Sequence, residues 1–278
     1  MKLKLLILLI SFTVAAKSDE NNTVNRTIHT GVSIKYTDIR SVHSIPLFVL
    51  PVSIGYPFFH STPIELDIFS ILKTERREHL LKLSVTIPSR ITSDSGTGSN
   101  YILDADNSNY LRIMLEYNYL LRLLNWNKGA LMYGIAPAIL YEHKILTYIS
   151  GQKITRWDLN MGIGPSIVIN YQVFPRIELT GQFRGLIFPL YTSFGRYKSV
   201  SEGGHVFSSN YRPLTYIPSY GIIMKWKRKD SIISVGYSKS HQISGAKRNI
   251  DYYSSVPMLV VKIDRFHEFY ISYSIKFK

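Results

Sequence analysis

The sequence of 278 residues contains no cysteine. This absence excludes a disulfide-stapled secreted domain and a lipid attached to an N-terminal cysteine. After residue 16, no apolar run reaches the roughly 20 residues that a membrane-spanning helix requires. Hydrophobic residues nevertheless make up 45% of the chain. They are therefore spread in short stretches, as alternating β-strands spread them.

Carboxylates are scarce, with 19 Asp and Glu against 33 Lys and Arg, which gives a formal net charge of +14. A basic balance of this size suggests either nucleic acid or anionic lipid as a partner. The basic residues are scattered, and residues 227–229 form their only run of three. We therefore predict no nucleic-acid partner. We expect membrane lipid and the phosphates of lipopolysaccharide to meet this surface.

The first 16 residues have the pattern of a cleaved secretory signal peptide. Lys2 and Lys4 make the start positive, and an apolar stretch from Leu5 to Val14 follows. This stretch is too short to cross a bilayer as a helix. Small residues at Val14 and Ala16 then precede a polar segment, as at a cleavage site. We expect export and cleavage after Ala16, which leaves residues 17–278 as the mature chain.

The last residues of the chain alternate strictly between apolar and polar side chains. One face of the predicted strand carries Phe269, Ile271, Tyr273, Ile275 and Phe277, and the other carries Tyr270, Ser272, Ser274 and Lys276. This pattern is typical of a closing strand in a lipid-facing β-barrel, apolar outside and polar inside. It also fits the last strand of a soluble sandwich. Similar alternation in most of the other predicted strands favours the barrel.

The predicted connections alternate in length. Short turns are predicted at 74–79, 125–129, 173–175 and 227–230, and long polar loops at 89–109, 143–155, 190–213 and 240–255. Outer-membrane barrels place short turns on the periplasmic side and long loops outside, whereas a soluble sandwich has no reason to sort them. Aromatic residues lie where the membrane interfaces should fall. We predict a girdle formed by Trp126, Tyr141, Trp157, Tyr171 and Trp226.

These patterns predict an all-β fold, a closed antiparallel up-and-down transmembrane β-barrel of about ten strands. The predicted strands lie near 45–58, 62–73, 79–88, 110–122, 130–142, 156–172, 176–189, 211–226, 231–240 and 257–277. Residues 27–37 also have the pattern of a strand. They could add a wall strand, with a total of twelve, or residues 17–44 could form a periplasmic or lumenal segment.

Charged side chains fall on the predicted inner rows. The lumen charges that we predict are Glu65, Asp67, Lys82, Arg112, Glu116, Asp158, Glu178 and Arg184. The interior of a barrel of this size is about filled by side chains, so mixed charges there should pair into an ionic core. A narrow hydrophilic pore is the alternative.

The N-terminal signal, the alternating strands, the sorted loops and the ending Phe277-Lys278 together resemble a bacterial outer-membrane β-barrel protein. The resemblance is architectural and covers the mature chain. It implies a location in the cell outer membrane and insertion by the outer-membrane assembly machinery. It identifies no extracellular ligand. A structural or surface-interaction role with a plugged lumen and a small porin-like channel are the two functions that it favours.

Enzymatic signals are weak. Residues 240–245 faintly resemble the His-x-Ser stretch of outer-membrane lipid A deacylases, but Gln242 occupies the position where the base is needed. His241 and Ser244 are three residues apart and so fall on opposite faces of a strand. We therefore predict no catalytic residues, no metal site and no cofactor, and keep a lipid hydrolase as the third alternative.

Overall fold

The computed structural model describes residues 26–44, 58–94, 106–147, 153–198, 205–209, 215–248 and 258–277. The predicted signal peptide lies outside these residues, as do residues 45–57 of the strand predicted at 45–58. No helix in the described ranges is long and apolar enough to cross a membrane.

The described chain is all-β and antiparallel. Its strands are β1 (Thr27–Ser44), β2 (Phe58–Ser61), β3 (Ile64–Lys73), β4 (Arg77–Thr86), β5 (Ser89–Arg90), β6 (Thr92–Asp94), β7 (Asn109–Trp126), β8 (Gly129–Ile135), β9 (Ala138–Thr147), β10 (Lys153–Ile163), β11 (Pro165–Phe174), β12 (Ile177–Lys198), β13 (His205–Ser209), β14 (Thr215–Lys227), β15 (Ser231–Arg248) and β16 (Met258–Phe277).

These strands form a closed barrel of ten wall strands, which confirms the predicted fold class. Each wall strand pairs with its neighbours along the chain, and β8–β9 and β10–β11 are each one wall strand with a short break. The circle closes at a seam, where β1 pairs with β16 from Ile28 opposite Phe277 to Ser44 opposite Val261. The short strands β2, β5, β6 and β13 pair beyond the ten.

The first wall strand is not where the sequence predicted it. β1 pairs with both β3 and β16, so residues 27–44 take the closing position that we had assigned to residues 45–58. The alternative of a periplasmic or lumenal segment is therefore wrong for residues 27–44, and the twelve-strand alternative is also wrong. The physical reason is that a free strand edge at β16 must be paired, and β1 offers the matching alternation.

The two faces of the wall differ as predicted. On β16, outward residues such as Phe269, Ile271 and Tyr273 are 47–63% exposed, whereas Ser272 and Ser274 are buried. Five outward apolar residues of this strand, from Phe269 to Phe277, span about 27 Å along its axis at ~3.4 Å per residue. An apolar row of this length along the strand is what a tilted strand needs to cross a hydrocarbon core.

The barrel has two different ends. The two- and three-residue connections between consecutive wall strands, at 74–76, 127–128, 175–176 and 228–230, lie at one end, together with the start of β1 and the end of β16. We call this the turn end. The longer connections all lie at the opposite end, which we call the loop end, and this agrees with the predicted sorting.

Glycines allow close approach at the breaks in the wall. A side chain at Gly164 would overlap the carbonyl oxygen of Gly185, and one at Gly162 would overlap that of Ile187. The backbone ladder continues across the break, because the Ala136 N–H donates to the Gly164 carbonyl at 2.8 Å. Gly162 and Gly164 are thus positions where neighbouring strands of the wall approach each other closely.

Candidate functional site

All eight predicted lumen charges lie on the inner face of the wall. Six of them are at least 92% buried, namely Glu65, Asp67, Arg112, Glu116, Asp158 and Glu178. The side chains of Lys82 and Arg184 are each 13% exposed. Most of these charges form clusters of ion pairs between strands.

The first cluster joins strands next to the seam. Lys35 on β1 is buried, and its Nζ lies 2.5 Å from Glu65 Oε1 and 3.0 Å from Asp67 Oδ2 on β3. Lys35 and Glu65 are direct cross-strand partners. Our sequence interpretation missed Lys35 because it left residues 17–44 without a firm place. The alternation of 27–37 was the signal that could have found it.

The second cluster crosses the lumen. Glu116 on β7 has no exposed surface, and Arg184 of β12 donates to its Oε1. The Asn118 side-chain amide donates to the same oxygen at 2.6 Å, and Lys82 Nζ lies 3.7 Å from Oε2. One carboxylate is therefore shared by two largely buried cations from different strands.

The third cluster lies near the turn end. Glu178 accepts from Lys225 Nζ at 3.1 Å and from Lys227. Lys73 and Glu78 form a further pair at 2.8 Å. A cavity of about 160 Å³ extends from these residues up to Lys35. The turn-end half of the lumen is thus polar and incompletely filled.

Glu142 and two apolar clusters occupy the lumen on the loop side of the ionic layer. The Tyr110 hydroxyl donates to Glu142 at 2.7 Å, and the Gln242 amide donates at 3.1 Å. The guanidinium of Arg112 lies 4.6 Å from the ring centroid of Phe266. The first apolar cluster contains Ala136, Ala138, Leu140, Leu186, Phe188 and Ile217, and the second contains Ile39, Ile91, Tyr110 and Phe266.

The predicted girdle residues divide between the two ends. Trp126, Tyr171 and Trp226 lie beside the turn end and are 43–46% exposed. Tyr141 on β9 and Trp157 on β10 lie nearer the loop end. The outward apolar residues of the wall, which we call the apolar band, separate them from the other three. There the imidazole of His143 stacks on Trp157, with ring centroids 5.4 Å apart.

The outer face near the seam carries a group of residues that the sequence interpretation did not identify. In register across β2, β1, β16 and β15 lie His60, Arg40, Arg265 and His241. The row below them, nearer the turn end, contains Asp38, His267 and Lys239. We call these seven residues the seam patch. Lys239 belongs to the outward row, because its neighbours Ser238 and Ser240 are buried.

The stretch at 240–245 with the faint deacylase-like pattern lies within β15. His241 lies on the outer row, whereas its neighbours Ser240 and Gln242 are buried on the inner face. One imidazole–carboxylate pair does form, with His60 Nε2 2.8 Å from Asp38 Oδ1. Among the described residues, no group of three or more His, Asp or Glu could hold a metal ion.

Comparisons with known proteins place the fold. No protein-family model and no curated protein matches the chain. The outer-membrane protease OmpT of Escherichia coli matches with a TM-score of 0.57 at 9% identity, over 92% of this chain and 99% of that one. The toluene transporter TbuX of Ralstonia pickettii has a TM-score of 0.43 at 8% identity, over 91% and 90% of the two chains. The match to OmpT, together with the closed ten-strand antiparallel barrel, shows that the chain has the fold of bacterial outer-membrane β-barrels.

Proposed function

We propose that this protein is an integral β-barrel of the outer membrane with a closed, charge-lined lumen and a structural or surface-interaction role. The observation that carries the proposal is the filled cross-section of the barrel. Glu116, Leu140 and Phe188 have no exposed surface, and Phe266 is only 1% exposed. Among the residues that the structure describes, ionic and apolar side chains thus pack against each other across the lumen at this level.

The outer face supports the membrane location. Large apolar side chains are exposed all round the wall, for example Ile34, Leu66, Ile163, Ile222 and Ile271 at 44–65%. In water such a surface would drive aggregation, whereas hydrocarbon accommodates it. In this proposal a signal peptide ending at Ala16 directs export, the assembly machinery inserts the barrel, and the turn end faces the periplasm. N-terminal sequencing of protein recovered from outer-membrane fractions should begin at Lys17.

A small channel is the second candidate, and the cavity in the turn-end half favours it. This cavity is lined by several ion-paired lysines and by Arg184. A channel through the barrel would need Lys35, Lys82 and Arg184 to move away from the lumen axis. Such a channel would require breaking the contacts of Glu116, which leaves buried cations without a partner.

Single-channel recording in planar bilayers distinguishes the two candidates. We expect folded protein to insert without steady conductance steps. The matched pair of variants is Glu116→Gln, inside the lumen, and Glu75→Gln, which is exposed at the turn end. Steady steps in the native protein whose size changes in Glu116→Gln but not in Glu75→Gln would overturn the closed lumen in favour of a channel.

A further inference from the structure

We propose that the seam patch binds the phosphate groups of an anionic lipid and so clamps the first strand to the last. The inference rests on the proposed membrane location.

The register brings cations together across the seam. Arg40 of β1 lies directly opposite Arg265 of β16, and Arg265 lies opposite His241 of β15. Like charges that face each other across paired strands repel and destabilise the pair. A shared anion between Arg40 and Arg265 converts this repulsion into attraction on both strands. Arginine suits the role because its planar fork holds phosphate through two parallel hydrogen bonds.

The patch has an unbalanced positive charge. Among its seven members, Asp38 is the one carboxylate, and it already contacts Arg40 at 3.2 Å and His60 at 2.8 Å. Arg265 and Lys239 add two further cations on the neighbouring strands. The Arg40 side chain is 67% exposed, so it remains accessible to a ligand.

The residues towards the turn end from the patch favour a lipid over a free anion. The next outward row contains Tyr36, Phe269 and Tyr237, which are in register on β1, β16 and β15. The row after that contains Ile34, Ile271 and Val235. Acyl chains can pack along these rows while the phosphate reaches the arginines, as at the boundary between hydrocarbon and headgroups.

The environment of His241 contains several neighbouring cations. Burial lowers its pKa below the ordinary value, and Lys239, Arg265 and His267 lower it further. A phosphate bound beside Arg265 would oppose these three cations. It would therefore raise the pKa of His241.

A lipid in this position links the two ends of the chain. Arg40 belongs to the first wall strand, whereas Arg265 and Lys239 belong to the last two. Opening the barrel at the seam would have to separate the arginines from their shared phosphate. A ligand that binds the closed barrel and not the open chain stabilises the closed form.

The test uses the mature chain refolded in zwitterionic detergent micelles, with diphosphorylated lipid A as the probe. We expect the lipid to raise the midpoint temperature of the heat-modifiable gel shift. The variant Arg40→Gln/Arg265→Gln should need at least tenfold more lipid for the same rise. The control Lys153→Gln/Lys229→Gln removes the same charge from β10 and from a turn, outside the seam patch, and should respond like the native protein.

Two control ligands and an NMR titration complete the experiment. Dephosphorylated lipid A and inorganic phosphate should leave the midpoint unchanged, and lipid A should raise the pKa of His241 in an NMR titration. If the double variant does not refold, Lys239→Gln should still weaken the response at least threefold. An equal response from all variants, or an equal rise with inorganic phosphate, would overturn the lipid site. If the proposed membrane location is wrong, cell fractionation would instead recover the protein in the soluble fraction.

Discussion

At the scale of single residues, the lumen is organised by the cost of burying charge. An unpaired ion inside a barrel loses its hydration, and removing one member of a buried pair is strongly destabilising. Glu116 shows the consequence, since one carboxylate serves Arg184, Lys82 and Asn118. Glu116 therefore connects β7 with β4 and, across the lumen, with β12.

Replacing Glu116 tests this account. Glu116→Gln should lower the free energy of unfolding by about 3–5 kcal/mol, because Arg184 and Lys82 lose their counter-charge. Glu116→Gln/Arg184→Gln should cost less than the sum of its two single changes. Urea unfolding in micelles measures both, with the exposed Glu75→Gln as a control that should change little. Strict additivity of the two changes would contradict the coupling.

The sequence could predict which charges face inward but not which of them meet. Strand alternation alone placed Glu65 and Arg112 on the inner rows. The Arg184–Glu116 contact joins residues 68 positions apart across the lumen, and it depends on the stagger of ten strands. The seam patch was missed for the same reason, because it exists only once Arg40 and Arg265 are in register.

At the scale of elements, strands with clear alternation were predicted well, and β1 was not. β16 and β7 show long apolar rows, so their phases could be read directly. β1 carries Ser33, Lys35 and Thr37 inward and only short outward runs. Its identity as a wall strand becomes clear from its partners on both sides, β3 and β16. That information depends on barrel closure, which local sequence does not contain.

At the same scale, the close packing of the backbone at the breaks in the wall can be tested by substitution. Gly164→Ala should strongly impair folding, because the new methyl group would overlap the Gly185 backbone. Gly181→Ala is the matched control, since a side chain there meets nothing within 4 Å. Both variants reduce backbone freedom in the unfolded chain similarly, so their difference reports packing alone. The yield of refolded barrel on a heat-modifiable gel should fall for Gly164→Ala only, and equal yields would show that the wall can relax.

At the scale of the whole molecule, the closed barrel has two different ends. The start of β1 and the end of β16 both lie at the turn end, so the number of wall strands must be even. The short connections share that end with them, and the longer connections between wall strands lie at the other. The apolar band, the turn-end aromatic residues and the seam patch therefore have a defined order along the barrel axis. This order predicts one orientation in the membrane, with the seam patch at the outer headgroups.

Cysteine labelling checks the orientation, and the native chain has no cysteine to give a background. Asn107→Cys, beside the loop end of β7, should react with an impermeant maleimide on intact cells. Lys128→Cys and Lys229→Cys, both exposed in turns, should react only after the outer membrane is permeabilised. The physical reason is that charged reagents do not cross the lipid barrier that the apolar band occupies. Labelling of the turn positions on intact cells, with Asn107→Cys protected, would mean that the barrel is inverted and would place the seam patch at the periplasmic headgroups.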